Sequence, residues 1–280
     1  MKLVEGAKYH GYGNDFVIIP WDQVETGQLS DFARRICDRH FGIGADGCIF
    51  LTLESPFTLR IFNRDGSESG MSGNGARCAS AYLHHQGRAG ERIELETQSG
   101  RKLFRLLKAG PPLWTFDSDM GHPSFDARSI PFHPPHLDAV KDYPLEVGGE
   151  ELELTVVNVG NPQCVVFSDT LPGDSRFKHL GFLLERHPAF PERTNVSFAQ
   201  VVDRHHLKVR IWERGVGPTH SSGTGCTGAA VASIWTGRAD SPVQVETATG
   251  IQVIDWQPDG SISLTGDAGF IADFKFGWSP

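Results

Sequence analysis

Polar and apolar positions alternate along the chain in short runs, and the runs form two matched series. Thr58-Leu59-Arg60-Ile61-Phe62 alternates with the period of a half-buried strand, as does Val209-Arg210-Ile211-Trp212. Ile93–Thr97 and Lys102–Leu107 predict a strand pair that turns at Ser99-Gly100, with images at Val243–Thr247 and Ile251–Ile254. Two apolar runs follow polar turns: Phe16-Val17-Ile18-Ile19 after Gly11–Asp15, and Cys164-Val165-Val166-Phe167 after Val159-Gly160-Asn161. Ala76, Cys78, Ala79, Ala81, Tyr82 and Leu83 predict a helix of small apolar residues that stops at Gly87. Ala229, Ala230, Val231 and Ile234 repeat it up to Gly237. A further helix is expected from Asp31 to Arg39, with Phe32, Ile36 and Arg39 on one side, and a strand at Cys48–Leu51. The proline-rich stretch 110–147 reads as irregular connection. Gly260–Phe270 and Ile271–Gly277 read as closing strands.

The two series are one unit written twice. Shifted by 150, the segment 60–100 matches 210–250 at 13 of 41 positions without a gap, Gly87-Arg88-Ala89 on Gly237-Arg238-Ala239 included. The expected fold class is therefore α/β (α+β), with two pseudo-symmetric domains. Each would have mixed and antiparallel strands curved around a central helix. We place them at 1–125 and 126–280, with the last strand free to return to the first domain.

Bulk properties narrow the function. A chain of 280 residues buries roughly three-quarters of its unfolded surface and needs no disulfide or metal for stability. The balance of 26 basic against 34 acidic residues gives −8 with no basic run, so neither nucleic acid nor an acidic membrane surface is an expected partner. Met1–Gly6 has no apolar h-region, and no apolar run is long enough to span a bilayer. The five cysteines show no C-x-x-C spacing and fit reduced, buried thiols in a cytoplasmic protein. Gly42-Ile43-Gly44-Ala45-Asp46-Gly47 is a literal G-x-G-x-x-G, but a helix precedes it and a strand follows. That is the reverse of a dinucleotide site. His84-His85, His205-His206, His133 and His136 match no metal-ligand pattern, so no metal is expected. No G-x-S-x-G elbow surrounds a serine, and His220 alone lies near Ser222, which disfavours a serine hydrolase.

The chemistry concentrates at Ser72-Gly73-Asn74-Gly75 and its copy Ser222-Gly223-Thr224-Gly225. Each precedes a helix, whose first backbone N–H groups have no intrahelical acceptor and favour an anion. Taken singly, each serine reads as an N-cap. Taken together, two facing helix starts would hold one carboxylate, with Ser72 and Ser222 flanking the carbon that bears it. That arrangement suits removal of an α-proton on one face and delivery on the other. Asn14 and Asn161, before their strands, read either as turn residues or as amides aimed at a ligand.

At these residues the sequence resembles the diaminopimelate epimerases and, more distantly, the proline racemases. The motifs are Gly13-Asn14-Asp15-Phe16, Arg39–Gly47, Phe62–Glu68, Ser72–Cys78, Gly160-Asn161-Pro162, Arg193-Thr194-Asn195, Glu213–Gly217 and Ser222–Gly225, spread over nearly the whole chain. The resemblance implies a cofactor-independent isomerase that converts LL- to meso-diaminopimelate in lysine and cell-wall biosynthesis, and a homodimer. It implies that Asn14, Asn63, Asn161, Asn195, Glu213 and Arg214 bind the substrate, Arg214 by a forked pair of bonds. The N–H groups of Gly73, Asn74, Gly223 and Thr224 would hold the near carboxylate. The family pattern has cysteines as its acid and base where Ser72 and Ser222 stand, and a histidine where Gln163 stands. A serine hydroxyl acts as a base only with a partner, and Glu213 would serve Ser222. Two other readings stay open: a same-fold isomerase or dehydratase working on one face through Ser222 and Glu213, and a non-catalytic amino-acid-binding relative.

Overall fold

A computed structural model describes residues 1–133 and 138–279; His136 lies outside them. The chain divides into two compact units, Met1–Ser118 with Gly266–Pro280, and Asp119–Thr265. The first half runs β1 (Lys2–Gly11), β2 (Asn14–Pro20), α1 (Leu29–Cys37), β3 (Gly47–Leu51), β4 (Phe57–Asn63), β5 (Glu68–Ser69), α2 (Gly73–His85), β6 (Arg92–Thr97), β7 (Gly100–Lys108) and β8 (Leu113–Gly121). The second runs β9 (Tyr143–Val147), β10 (Glu150–Asn158), β11 (Pro162–Phe167), α3 (Asp174–Glu185), β12 (Asn195–Asp203), β13 (His206–Glu213), β14 (Gly217–Thr219), α4 (Gly223–Trp235), β15 (Val243–Thr247), β16 (Gly250–Trp256) and β17 (Ile262–Trp278). Helices α2 and α4 begin and end 150 residues apart, as the sequence repeat requires.

Each unit is built alike. β1 pairs antiparallel with β2, β2 runs parallel to β3 through the crossover helix α1, and β4 runs parallel to β6 through α2. In the second unit β10, β11, β12, β13 and β15 repeat that pattern with α3 and α4 as the crossovers. Strands β2 and β3 are buried almost throughout, because a helix covers each face of their sheet. One core wraps α2 with Phe16, Ile49, Leu95, Trp114 and Phe116. A second lies under α1 with Phe32, Phe50 and Trp278. The second unit matches these with one core around α4 and one under α3.

The central helices are buried all round, from Asn74 to Leu83 and from Gly225 to Ser233. Small side chains make this possible. The Cβ of any residue at 228 would sit 2.6 Å from Cγ of Gln163, so α4 lies against β11 only because that residue is glycine. Polar residues inside these helices bond back to the preceding turn: Ser80 to the Ala76 carbonyl at 3.0 Å, Thr227 to the Gly223 carbonyl at 2.8 Å. All five cysteines are buried and none is in a disulfide. Among the described residues no helix is long and apolar enough to cross a membrane.

Three sequence expectations are corrected. The helix expected at 31–39 spans Leu29–Cys37 and leaves Arg39 outside it. Asp38 ends it in an extended conformation, its carboxylate accepting from the N–H groups of His40 and Phe41, both at 2.7 Å. The stretch 110–147 holds two strands, β8 and β9. Trp114, Phe116 and Ser118 point inward on alternate positions of β8, a period that the neighbouring prolines mask. The two closing strands are one continuous β17, which carries the chain from the second unit back into the first.

Candidate functional site: two capped helix starts and their amides

Ser72 and Ser222 have nearly the same backbone, φ −139°, ψ 119° and φ −143°, ψ 127°, as N-caps of α2 and α4. Their hydroxyl oxygens accept from the N–H groups of Gly75 at 3.1 Å and Gly225 at 3.3 Å. The first intrahelical bonds come from Ala76 and Cys226, to the carbonyls of Ser72 and Ser222. The N–H groups of Gly73, Asn74, Gly223 and Thr224 thus precede the helical ladder, at the positive end of each dipole.

In the first unit β1 turns into β2 through Tyr12 (φ 54°) and Gly13 (φ 86°), a two-residue hairpin with both central residues left-handed. That turn puts Asn14 at the mouth of β2, where its oxygen accepts from Asn74 Nδ2 at 3.4 Å. Asn74 Oδ1 in turn accepts from the buried Arg77 at 3.3 Å, and Asn14 Nδ2 donates to Asp46 Oδ2 at 3.0 Å. A guanidinium at one end and a carboxylate at the other fix which way both amides point. Asp15 anchors the turn from below, receiving Arg39 through both guanidinium nitrogens (2.9 and 3.2 Å) and Lys8 at 2.8 Å. Burial pushes the Asp15 carboxyl up, yet the bonds from Arg39 and Lys8 outweigh it and hold the group below its ordinary range. Asn63 is exposed at the end of β4, with its Nδ2 on Ser67 Oγ at 3.0 Å.

In the second unit the candidate residues form one connected cluster. Asn161 Nδ2 donates to Thr224 Oγ1 at 3.5 Å, as Asn74 and Asn14 bond in the first unit, so the repeat extends to these side chains. Ser222 Oγ lies 3.5 Å from Thr224 Oγ1. The fully buried Gln163 donates to Asn161 Oδ1 at 2.6 Å. Asn195 lies beside Gln163 in the parallel register and accepts the Arg214 N–H on its side-chain oxygen at 2.9 Å. The Arg214 guanidinium is exposed and donates to the Glu192 carbonyl at 3.2 Å. Burial raises the Glu213 carboxyl above the ordinary glutamate range, and the nearby Ser222 hydroxyl opposes that rise. At the corresponding position of the first unit stands Asn63, an amide that takes no proton.

Two supporting groups escape sequence reasoning. Asp46 joins Asn14, the Asp15 N–H and Arg39, and its only signal is its place in a glycine-rich turn. Glu185, 1% exposed at the end of α3, accepts from Trp212 and Gly215, and a glutamate closing an amphipathic helix gives no warning of that.

The chain is similar to known proteins along nearly its whole length. The sequence profile of the diaminopimelate epimerase family matches residues 6–125 and 155–271. The diaminopimelate epimerase of Moorella thermoacetica is 42% identical over 94% of this chain and 95% of its own. That of Desulforudis audaxviator is 40% identical over 98% and 99%. A solved structure from Pseudomonas aeruginosa, titled a predicted epimerase, superposes with a TM-score of 0.69 over 99% of this chain and 100% of that one. At 18% identity it speaks for the fold alone. With a family profile spanning most of both halves and relatives near 40% identity along nearly the full length, the chain belongs to the diaminopimelate epimerase family.

Proposed function

We propose that this protein is a cofactor-independent amino-acid epimerase of the diaminopimelate type, in which Ser72 and Ser222 replace the thiols of the family pattern. The observation that carries the reading is the Ser222 hydroxyl at the start of α4, held by the Gly225 N–H, with the half-buried Glu213 carboxyl, raised by burial, as the neighbouring proton acceptor. As Ser222 Oγ takes the α-proton, its own proton passes to Glu213; Ser72 gives its hydroxyl proton to the opposite face, which inverts the carbon, and water then returns a proton to the Ser72 oxygen while Glu213 releases one. The leading N–H groups of α2 and α4 bind the carboxylate on that carbon. The amides of Asn14, Asn161 and Asn195 and the fork of Arg214 bind the distant amino-acid end. In this reading the substrate is diaminopimelate and the working form a homodimer, as in the family.

Incubation with LL-diaminopimelate in heavy water tests this. Deuterium at the α-carbon together with meso product is the expected result, and no exchange by folded protein at high concentration overturns it. One asymmetry favours a second reading: Glu213 serves Ser222, whereas its counterpart Asn63 accepts no proton. Chemistry confined to the Ser222 face would give deuterium uptake with retained configuration.

A further inference from the structure

The amide of Asn161, at the mouth of β11, can stand in two ways, with its oxygen inward or its nitrogen inward. Backbone pairing does not choose between them. Neither does Thr224, whose hydroxyl donates and accepts equally well. Gln163 does choose. Its Nε2 donates to Asn161 Oδ1 at 2.6 Å, which leaves Asn161 Nδ2 on the side of Thr224 Oγ1, at 3.5 Å. Gln163 is fully buried, and α4 lies against its stem at Gly228, so the donor cannot swing away. Gln163 Oε1 has no partner among the described residues. Turning both amides over would bury an NH2 group there with no acceptor, the rarer and costlier fault.

The first unit shows the opposite case. There Asn14 faces an acceptor, its Nδ2 donating to Asp46 Oδ2 at 3.0 Å, and its oxygen is what meets Asn74 Nδ2, at 3.4 Å. The contact with the helix start repeats in the second unit, but its direction reverses because a donor, Gln163, stands behind Asn161. Asn161 Nδ2 has a second N–H beyond the one that Thr224 takes, and an N–H recognises an acceptor. In an amino acid the strong acceptor is the carboxylate and the strong donor is the ammonium.

We infer that Gln163 is a positioning residue that sets Asn161 as a donor, so that the ligand group Asn161 takes is a carboxylate oxygen and not an ammonium. The consequence for binding rests on the epimerase reading, whereas the direction of the amide stands without it.

Calorimetry with an equilibrated mixture of LL- and meso-diaminopimelate tests the assignment, in protein whose near-ultraviolet circular dichroism matches the parent. Gln163→Met keeps the length and loses the donor, and is expected to weaken binding about tenfold or more. In an Asn161→Ala background the same change is expected to weaken it no further, because Gln163 acts through Asn161. Equal losses in both backgrounds overturn the inference. Asn161→Asp puts oxygen at both ends of the group and still accepts from Gln163. It is expected to weaken binding at least as much as Asn161→Ala. Retained or tighter binding, as an ammonium at this amide would give, overturns the inference, and this variant decides the point if Gln163→Met does not fold. The direction of the amide is read by NMR: Overhauser contacts between the Asn161 Nδ2 protons and the Thr224 methyl group are expected in the parent and lost or averaged in Gln163→Met. Contacts absent from the parent, or equally strong in both, also overturn it. A parent that binds no diaminopimelate removes the epimerase reading, and the NMR contacts then decide the role of Gln163 alone.

Discussion

Glu213 occupies a position where its charge is unwelcome. Burial favours its neutral form, and the nearby hydroxyl of Ser222 opposes that preference. A carboxyl whose folded value stands above its unfolded value contributes stability at low pH and withdraws it as the pH rises through the folded value. Glu213→Gln therefore abolishes that loss, so thermal unfolding at alkaline pH is expected to occur at the same or a higher temperature than in the parent. The same change removes the proton acceptor for Ser222, and epimerisation is expected to fall by about 10²-fold or more. A variant that loses stability while keeping activity would contradict both statements. The Ser-Gly-x-Gly turns and the asparagines were legible in the sequence because turn chemistry is local. Glu185 and Asp46 were not, since their partners come from other elements and only the fold gathers them.

At the scale of elements, the site depends on two helices with nearly no side chains in the way. In α4, Gly228 faces Gln163 of β11, with 2.6 Å between a would-be Cβ and Cγ of the glutamine. Gly228→Ala is expected to cost about 1–3 kcal/mol through overpacking, measured by urea denaturation. Combining it with Gln163→Ala should recover part of the loss, because the two side chains compete for one space. Strict additivity would show that the contact is not the cause. The small-residue pattern that predicted both central helices reflects this same crowding. Helix α1 was displaced in the sequence reading because its end is set by the Asp38 side chain, and β8 was missed because prolines on both sides hid its alternation.

At the scale of the whole molecule, the duplication is not matched by the path of the chain. The second unit is one uninterrupted segment, Asp119–Thr265, whereas the first needs both ends of the sequence. β1 is paired along nearly its full length with the last part of β17, from Lys2 opposite Trp278 to His10 opposite Gly269. A fragment of residues 119–265 is expected to fold cooperatively on its own, and a fragment of residues 1–118 to remain largely unfolded, as followed by far-ultraviolet circular dichroism. A well-folded 1–118 would show that the terminal strand is dispensable. The repeat of 150 residues made the two-unit plan readable and left room for the last strand to return, but its register against β1 follows from pairing that no local pattern encodes.

The route of β17 also sets an order in time. On the ribosome, Lys2–Gly11 emerges long before Gly266–Trp278 and must wait for that stretch before its second edge is covered. The half nearer the carboxyl terminus can close beforehand. An edge left open until that distant stretch is made is an invitation to mispairing, and Lys2, Glu5 and Lys8 along that strand place charges where a wrong neighbour would dock.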